Sequence, residues 1–445
     1  MAETLRKWWL PGWLFALYFI YPIPHTIALR NLLLVIGLIS CLYLIRLDGS
    51  GKIAWQALKN FRTSGWILGA LTFWLLIQSA FISPYPALAL DMLRGDWFNE
   101  LVVASIAGCV VLTGRQGGSN RPLAAIVLAL FSHIVLLLGY QTWQWIATGL
   151  YPFGATPFGQ KDYHSMLVTT LIALLLADLV TRATPTKKAS TSELFPLSAI
   201  LAMLALSLLA TATLLARNAV IITILMMVGS IGIFALVGAK RFGKKILPAV
   251  IALLVVSSAV SWLALRSDSR WLVFSEAAAV AFDTKNNLAW LDGEKYPPPL
   301  MKNGQPVDDS AYRRLAWAKV ALEQVQATPL GLGYGHKAFG WAVNRSYNVQ
   351  TGIESSHSGL LDFTLANGIP GLILWLALSA ALTTVGWRAF RNEGSAIGLM
   401  LAFTVIAYLV RCLLDGHLSG FRLEMYALLV GVLVMTQALD TERCK

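Results

Sequence analysis

The stretch "ESSHSGLLDFTLANGIPGLILW", residues 354–375, decides how the chain is read. A polar run ends at a histidine, His357. Mostly apolar sequence follows, interrupted by Gly368-Ile369-Pro370-Gly371. An apolar run of this kind reads as a membrane-spanning helix. Ser355 and Ser356 are N-cap residue types, which would fix His357 in the first helical turn. The glycines and Pro370 kink or break the helix about three turns further in, taking 3.6 residues per turn. At membrane depth such a break implies a cavity, because irregular backbone is tolerated there only where protein or water covers it.

Outward from this stretch the chain has the same character. Hydrophobic residues make up 57% and charged residues 13%, against about a quarter charged in an ordinary soluble domain. The apolar runs are Val/Leu/Ala-rich and lack the period-2 alternation of a membrane barrel. The fold class expected is therefore all-α, a polytopic membrane protein. The formal net charge of +12 does not indicate nucleic acid. The basic residues form short clusters between apolar runs, at Arg6-Lys7, Arg46 to Arg62, Arg115 to Arg121, Arg182 to Lys188, Lys240 to Lys245, Arg388 to Arg391 and Arg443 to Lys445. By the positive-inside rule they are cytoplasmic. The N-terminal run lacks a small-residue cleavage site and has Pro22 and Pro24 after it, so it reads as a retained first helix.

With those clusters on one side, every stretch between them crosses twice. The expected spans are 8–24, 27–45, 66–82, 99–113, 122–146, 164–181, 195–214, 219–238, 246–265, 358–386, 395–413 and 423–439, twelve in all with both termini inside. Residues 1–265 then carry nine spans, 266–356 form one large outer loop, and 357–445 carry three spans and a short tail. Within the loop, 269–282 and 313–326 read as amphipathic helices, of a kind that often lies on a membrane surface. Cys41, Cys109 and Cys412 lie in or beside apolar runs and Cys444 is in the tail, so no structural disulfide or cysteine metal site is expected.

The outer side collects Lys161, His164, Arg217, Arg313, Arg314, His336, Lys337, His357, Arg411, Asp415, His417 and Arg422. That basic excess runs against the orientation rule. Arg217 sits in a very short link between apolar runs. It either snorkels to headgroups or, beside the start of a helix near Ala219, grips an anion with its guanidinium. Arg313 and Arg314 point about 100° apart on a helix, so one can face a cavity and the other water; a solvated face is the plainer reading. His357 is either an interfacial residue or a general base, since imidazole is largely neutral near pH 7. Asp292 with Glu294, and Asp308 with Asp309, are carboxylate pairs in a Pro/Gly-rich loop and read weakly as metal ligands.

Three motifs in order resemble bacterial O-antigen ligases, within the O-antigen ligase/polymerase superfamily. His357-Ser358, nine residues and Gly368-Ile369-Pro370-Gly371 match H-[NSQ]-x9-G-x-x-G. "YRRLAWAKVALEQVQATPLGLGYGHKAFGW" resembles R-x-x-x-W…P-[LI]-x-G-x-G-x-x-x-F, with Arg313 four residues before Trp317. "LLARNAVIIT" resembles an upstream Ser/Ala-Arg-small helix start. The resemblance implies a GT-C-type glycosyltransferase of the inner membrane. Its donor is glycan on undecaprenyl pyrophosphate at the periplasmic face, its acceptor a sugar hydroxyl of lipid A–core, and it uses no cofactor or metal. His357 would be the base, and Arg217 and Arg313 would bind the pyrophosphate. Arg314, Arg411, Asp415, His164 and Lys161 are further candidates. A polymerase is the nearest alternative, but polymerases typically have two large outer loops. A protein O-oligosaccharyltransferase and, from another class, a lipid or solute transporter are the remaining readings.

Overall fold

The computed structural model describes residues 5–48, 56–114, 120–158, 160–183, 194–234, 274–301, 304–335, 337–415 and 418–443, with isolated positions in 251–266. It is helical throughout, and among the described residues the only β-pairing is an isolated bridge between Leu300 and Pro306. The helices are α1 (Leu10–Ile20), α2 (Ile27–Asp48), α3 (Arg62–Ile77), α4 (Pro86–Leu93), α5 (Asn99–Gly114), α6 (Arg121–Thr148), α7 (Lys161–Ala183), α8 (Leu197–Thr213) and α9 (Arg217–Ile233), followed by α10 (Phe274–Ala281), α11 (Asp309–Ala327), α12 (Ala338–Tyr347), α13 (Gly359–Glu393), α14 (Ala396–Leu414) and α15 (Gly420–Arg443).

Among the described residues eight helical stretches are long and apolar enough to cross a membrane: Ile27–Leu47, Leu58–Ile82, Pro86–Gly114, Arg121–Thr148, Lys161–Ala183, Gly359–Glu393, Ala396–Leu414 and Gly420–Glu442. Two expected spans appear as shorter apolar helices, Leu197–Thr213 and Arg217–Ile233. The first appears as Leu10–Ile20, with a π-turn before it. The span expected at 246–265 lies outside the described residues but for isolated positions, as do His336, His417, Cys444 and the first part of the helix expected at 269–282.

The span expected to start at 99 starts instead at Pro86. Proline suits a first helical turn, where its missing N–H costs nothing. The helix then runs through a π-turn at Arg94–Phe98, whose Arg-Gly-Asp sequence hides the continuity from a hydropathy reading. Another π-turn, Gln78–Ile82, ends the preceding span. Such turns are rare and gather at functional sites. α12 is a third helix of the outer segment, beyond the two read from sequence.

The helices share one end of the bundle. α13 starts there and α14 finishes there, since Gly359 N–H donates to Asp415 O (2.8 Å). α9 starts there too, with Asn218 Nδ2 donating to Asp415 Oδ2 (3.0 Å). α11 and α12 pack on α13 over this end, around a second apolar core that includes Trp290, Tyr312, Val320, Phe339, Val343 and Leu365.

What joins this cap to the bundle is the break in α13. Gly368 has φ 72 and ψ 175, outside the helical region. Ile369 N–H therefore leaves the helical ladder and donates to Pro329 O (2.8 Å). Leu365 O, which would have received it, accepts Leu332 N–H (2.8 Å). Ala366 O, left without a helical donor because Pro370 has no N–H, accepts Gly333 N–H (2.9 Å). Asn367 O accepts Trp74 Nε1 (2.7 Å). The freed groups are thus paired with "TPLGLG" and with α3, as a broken membrane helix requires. The approach is backbone on backbone: a Cβ on Gly331 would come 2.5 Å from Ala366 O, and one on Gly368 would come 2.5 Å from Leu330 C.

Gly368→Ala should therefore lower the melting temperature of the purified protein more than Gly149→Ala. Gly149 has a similar φ of 73, but nothing lies within 4 Å of its added methyl. The left-handed strain alone costs about 1–3 kcal/mol; Gly368→Ala adds a backbone clash. Equal melting of the two variants would mean that the docking is not rigid.

Candidate functional site

His357, the candidate base, has an unusual backbone. Its φ is 59, in the left-handed region, though it is not glycine. Such a residue costs of order 1–3 kcal/mol and persists where the surroundings over-determine it. Here both flanks are tied. Ser356 N–H donates to Asp362 Oδ1 (2.9 Å), and Ser356 Oγ bridges to Ser358 backbone groups at 3.3 Å. Gly359 N–H goes to Asp415 O (2.8 Å). His357 therefore precedes α13 in a strained turn and is not in its first helical turn. Ser355 and Ser356 do not cap the helix; its N-cap is Ser358, without a side-chain capping bond.

The imidazole stacks on Trp317 of α11, centroids 5.2 Å apart and planes 14° apart. Trp317 Nε1 is fixed by donation to Trp290 O (3.0 Å). Burial first, and then the positive charges of Arg314 and Arg422, push the imidazole below its ordinary value. Asp415 and Asp162 oppose that shift without cancelling it. The shift favours the neutral ring, the form that can accept a proton.

The arginines divide by environment. Arg314 is half-buried, lies one turn before Trp317 on the same helix face, and acts on His357. It has no ion-pair partner among the described residues. Arg313, one position earlier, is turned to Asp309, with Nε 2.7 Å from Oδ1, and its guanidinium packs over Gly293. Arg217 opens α9, and its Nη2 lies 3.7 Å from Asp308 Oδ1. Asp308 caps α11 by accepting Ala311 N–H (2.9 Å). That is nine residues, or about 13 Å of helix axis, from Trp317. Arg422 lies over the Tyr163 ring at 5.1 Å.

The other candidates have separate places. Arg411 is 2% exposed and braces α14 to α7. Its Nη1 donates to Ser165 Oγ (2.8 Å), and its Nη2 to Ser165 O (2.8 Å) and Thr169 Oγ1 (2.9 Å). Asp415 ties α9 to the start of α13 and acts on His357. His164 faces away into an aromatic group, stacked on Phe158 and edge-on to His133. Lys161 is exposed and lies over Gly154. Asp292, at the start of the loop's first carboxylate pair, instead accepts the Glu294 and Lys295 N–H groups (3.0 and 3.1 Å) in a turn.

Behind the His357 turn lies a cavity of about 200 Å³. Its walls include Asp96, Tyr334, Glu354, Asp362, Phe363 and Asn367. Asp96, Tyr334 and Asn367 carried no signal in the sequence, because only the break in α13 and the π-turn at Asp96 bring them together.

The left-handed backbone gives a direct check. His357→Gly should melt higher than His357→Ala by the equivalent of about 1 kcal/mol, since glycine relieves the strain and alanine keeps it. If the alanine variant melts as high as the glycine variant, the turn is not strained.

No curated protein matches the chain. Residues 200–376 match the family model described as O-antigen ligase. The matched segment holds α8 from Ile200 on, α9, the outer segment, the His357 turn and α13 through its break, so it contains Arg217, Arg313, Arg314, His357 and Gly368. Over that segment the chain is similar to the O-antigen ligase family.

Proposed function

We propose that the chain is an O-antigen ligase. It transfers a glycan from undecaprenyl pyrophosphate to a sugar hydroxyl of lipid A–core, on the periplasmic face of the bacterial inner membrane. In this reading the bundle has twelve crossings of GT-C type, with the two short apolar helices among them and both termini cytoplasmic. The observation that carries it is His357 itself: an imidazole favoured in its neutral form, in a tied, strained turn, acted on by Arg314, which has no ion-pair partner among the described residues, with a cavity behind the turn.

The reaction follows from those groups. The acceptor hydroxyl oxygen attacks the anomeric carbon and its proton passes to His357. The bond from that carbon to the pyrophosphate oxygen breaks, and the electron pair leaves with the pyrophosphate. Direct displacement inverts the anomeric centre. Pyrophosphate is a good leaving group, so stabilising its developing charge is the main requirement. Arg314 is suited to that role, with Arg422 beside it and Arg217 further along α11. Arg313, engaged with Asp309, contributes by anchoring the start of α11 or by exchanging that carboxylate for phosphate. No metal is required in this scheme.

The test is transfer by purified protein from undecaprenyl-pyrophosphate glycan to rough lipopolysaccharide, with chelator, across pH. The rate should fall on the acid side as His357 protonates, with a midpoint below the ordinary imidazole value of about 6.5. Arg314→Gln removes a charge that opposes protonation, so its midpoint should move to higher pH. His357→Ala should lose about 10²–10⁴-fold. A midpoint unmoved by Arg314→Gln, or full activity without His357, would contradict the mechanism. A divalent-metal requirement would remove the arginine argument, and elongation of the lipid-linked glycan in place of transfer would identify a polymerase.

A further inference from the structure

The cavity behind the His357 turn has a chemistry of its own. The His357 imidazole feels charges of both signs, Arg314 and Arg422 against Asp415 and Asp162. The cavity instead presents three carboxylates, Asp96, Glu354 and Asp362. Glu354 is offset by Lys337, with Nζ 2.7 Å from Oε1. Asp362 accepts Ser356 N–H and so is fixed in place. The segment 354–359 thus has surroundings of mixed charge at His357 and a cavity lined by carboxylates.

A second feature points to a ligand. Asn367 and Tyr334 line the cavity and are 1% and 3% exposed. Asn367 Nδ2 donates to Phe363 O (3.1 Å), but Asn367 Oδ1 and Tyr334 OH have no hydrogen-bond partner among the described residues. Buried polar atoms left unpaired cost free energy, so the groups that remain so in a folded protein call for an outside partner. An amide oxygen, a phenol and carboxylates are groups that bind hydroxyls. Phe363 and Tyr334 add aromatic surface for the C–H face of a ring. The volume, about 200 Å³, is below the roughly 300–1,000 Å³ of pockets for drug-sized ligands, so one ring fits and an oligosaccharide does not.

We propose that this cavity binds a single uncharged sugar ring and excludes sugars bearing phosphate or carboxylate. Resting on the reading above, that ring is the terminal sugar of the acceptor. The carboxylates accept its hydroxyl hydrogens, and the same carboxylates repel an anionic substituent in a partly desolvated site. The carboxylates of the cavity then turn the anionic diphosphate away and leave the site to the neutral acceptor.

The probes are methyl β-glucopyranoside and methyl β-glucuronide. Binding of each to the full chain in lipid nanodiscs, free of glycoside detergent, is read by saturation-transfer NMR. Excess inorganic pyrophosphate occupies Arg314 and Arg422. The glucoside should bind and the glucuronide should not. Tyr334→Phe, which removes one oxygen and little packing, should weaken glucoside binding about fivefold, as expected for one lost hydrogen bond. Asn367→Ala should do the same, and Asp96→Asn should admit the glucuronide. Equal binding of both probes, or glucoside binding unaffected by Tyr334→Phe and Asn367→Ala, would overturn the proposal. If this pattern holds while transfer to rough lipopolysaccharide fails, the sugar site stands and only its assignment to that acceptor falls.

Discussion

The exchange of backbone hydrogen bonds at Gly368 is the constraint on which the rest depends. A helix broken inside a hydrocarbon layer leaves donors and acceptors that lipid cannot satisfy. Here Pro329 O, Leu332 N–H and Gly333 N–H meet Ile369 N–H, Leu365 O and Ala366 O. That pairing sews the outer segment onto the bundle, and α11 is brought over the start of α13. Trp317 can then stack on His357, and Tyr334 and Gly335 close one wall of the cavity. The glycines of "PLGLG" and "GIPG" are two halves of a single contact.

From that contact follows an electrostatic order. Burial and the charge of Arg314 push the His357 imidazole below its ordinary value, which favours the neutral ring. Asp415 and Asp362 hold the two flanks of its turn, one by a backbone carbonyl and one by a carboxylate. Arg411 lies beneath, where it spends its donors on Ser165 and Thr169 and fixes α7 against α14. The charges around the histidine therefore fall into distinct tasks. Arg411 braces, Asp415 and Asp362 position, and in the proposed reaction Arg314 meets the incoming diphosphate.

Much of this was legible in the sequence because lipid imposes a simple demand. Runs such as 27–45 and 122–146 had to be helices, and helices they are. The polar lip at His357 stood out for the same reason. Where a charged interruption masked continuity, as at Arg94-Gly-Asp96, the reading started the helix thirteen residues late. The choice between Arg313 and Arg314 needed to know what each faces, which neighbouring positions on one helix cannot reveal. Ser165 and Arg411 are 246 positions apart, and Trp74 and Asn367 are 293 apart. Pairs so distant leave no local pattern. The same holds for the cavity, whose members come from four separate stretches.

The most direct measurement of the central claim is an experimental structure of the chain with a non-transferable undecaprenyl-pyrophosphate analogue bound. The account predicts the diphosphate within about 4 Å of the Arg314 guanidinium, the reach of an ion pair, with the anomeric carbon facing His357. A diphosphate seated among Asp96, Glu354 and Asp362, or at the opposite end of the bundle, would contradict it.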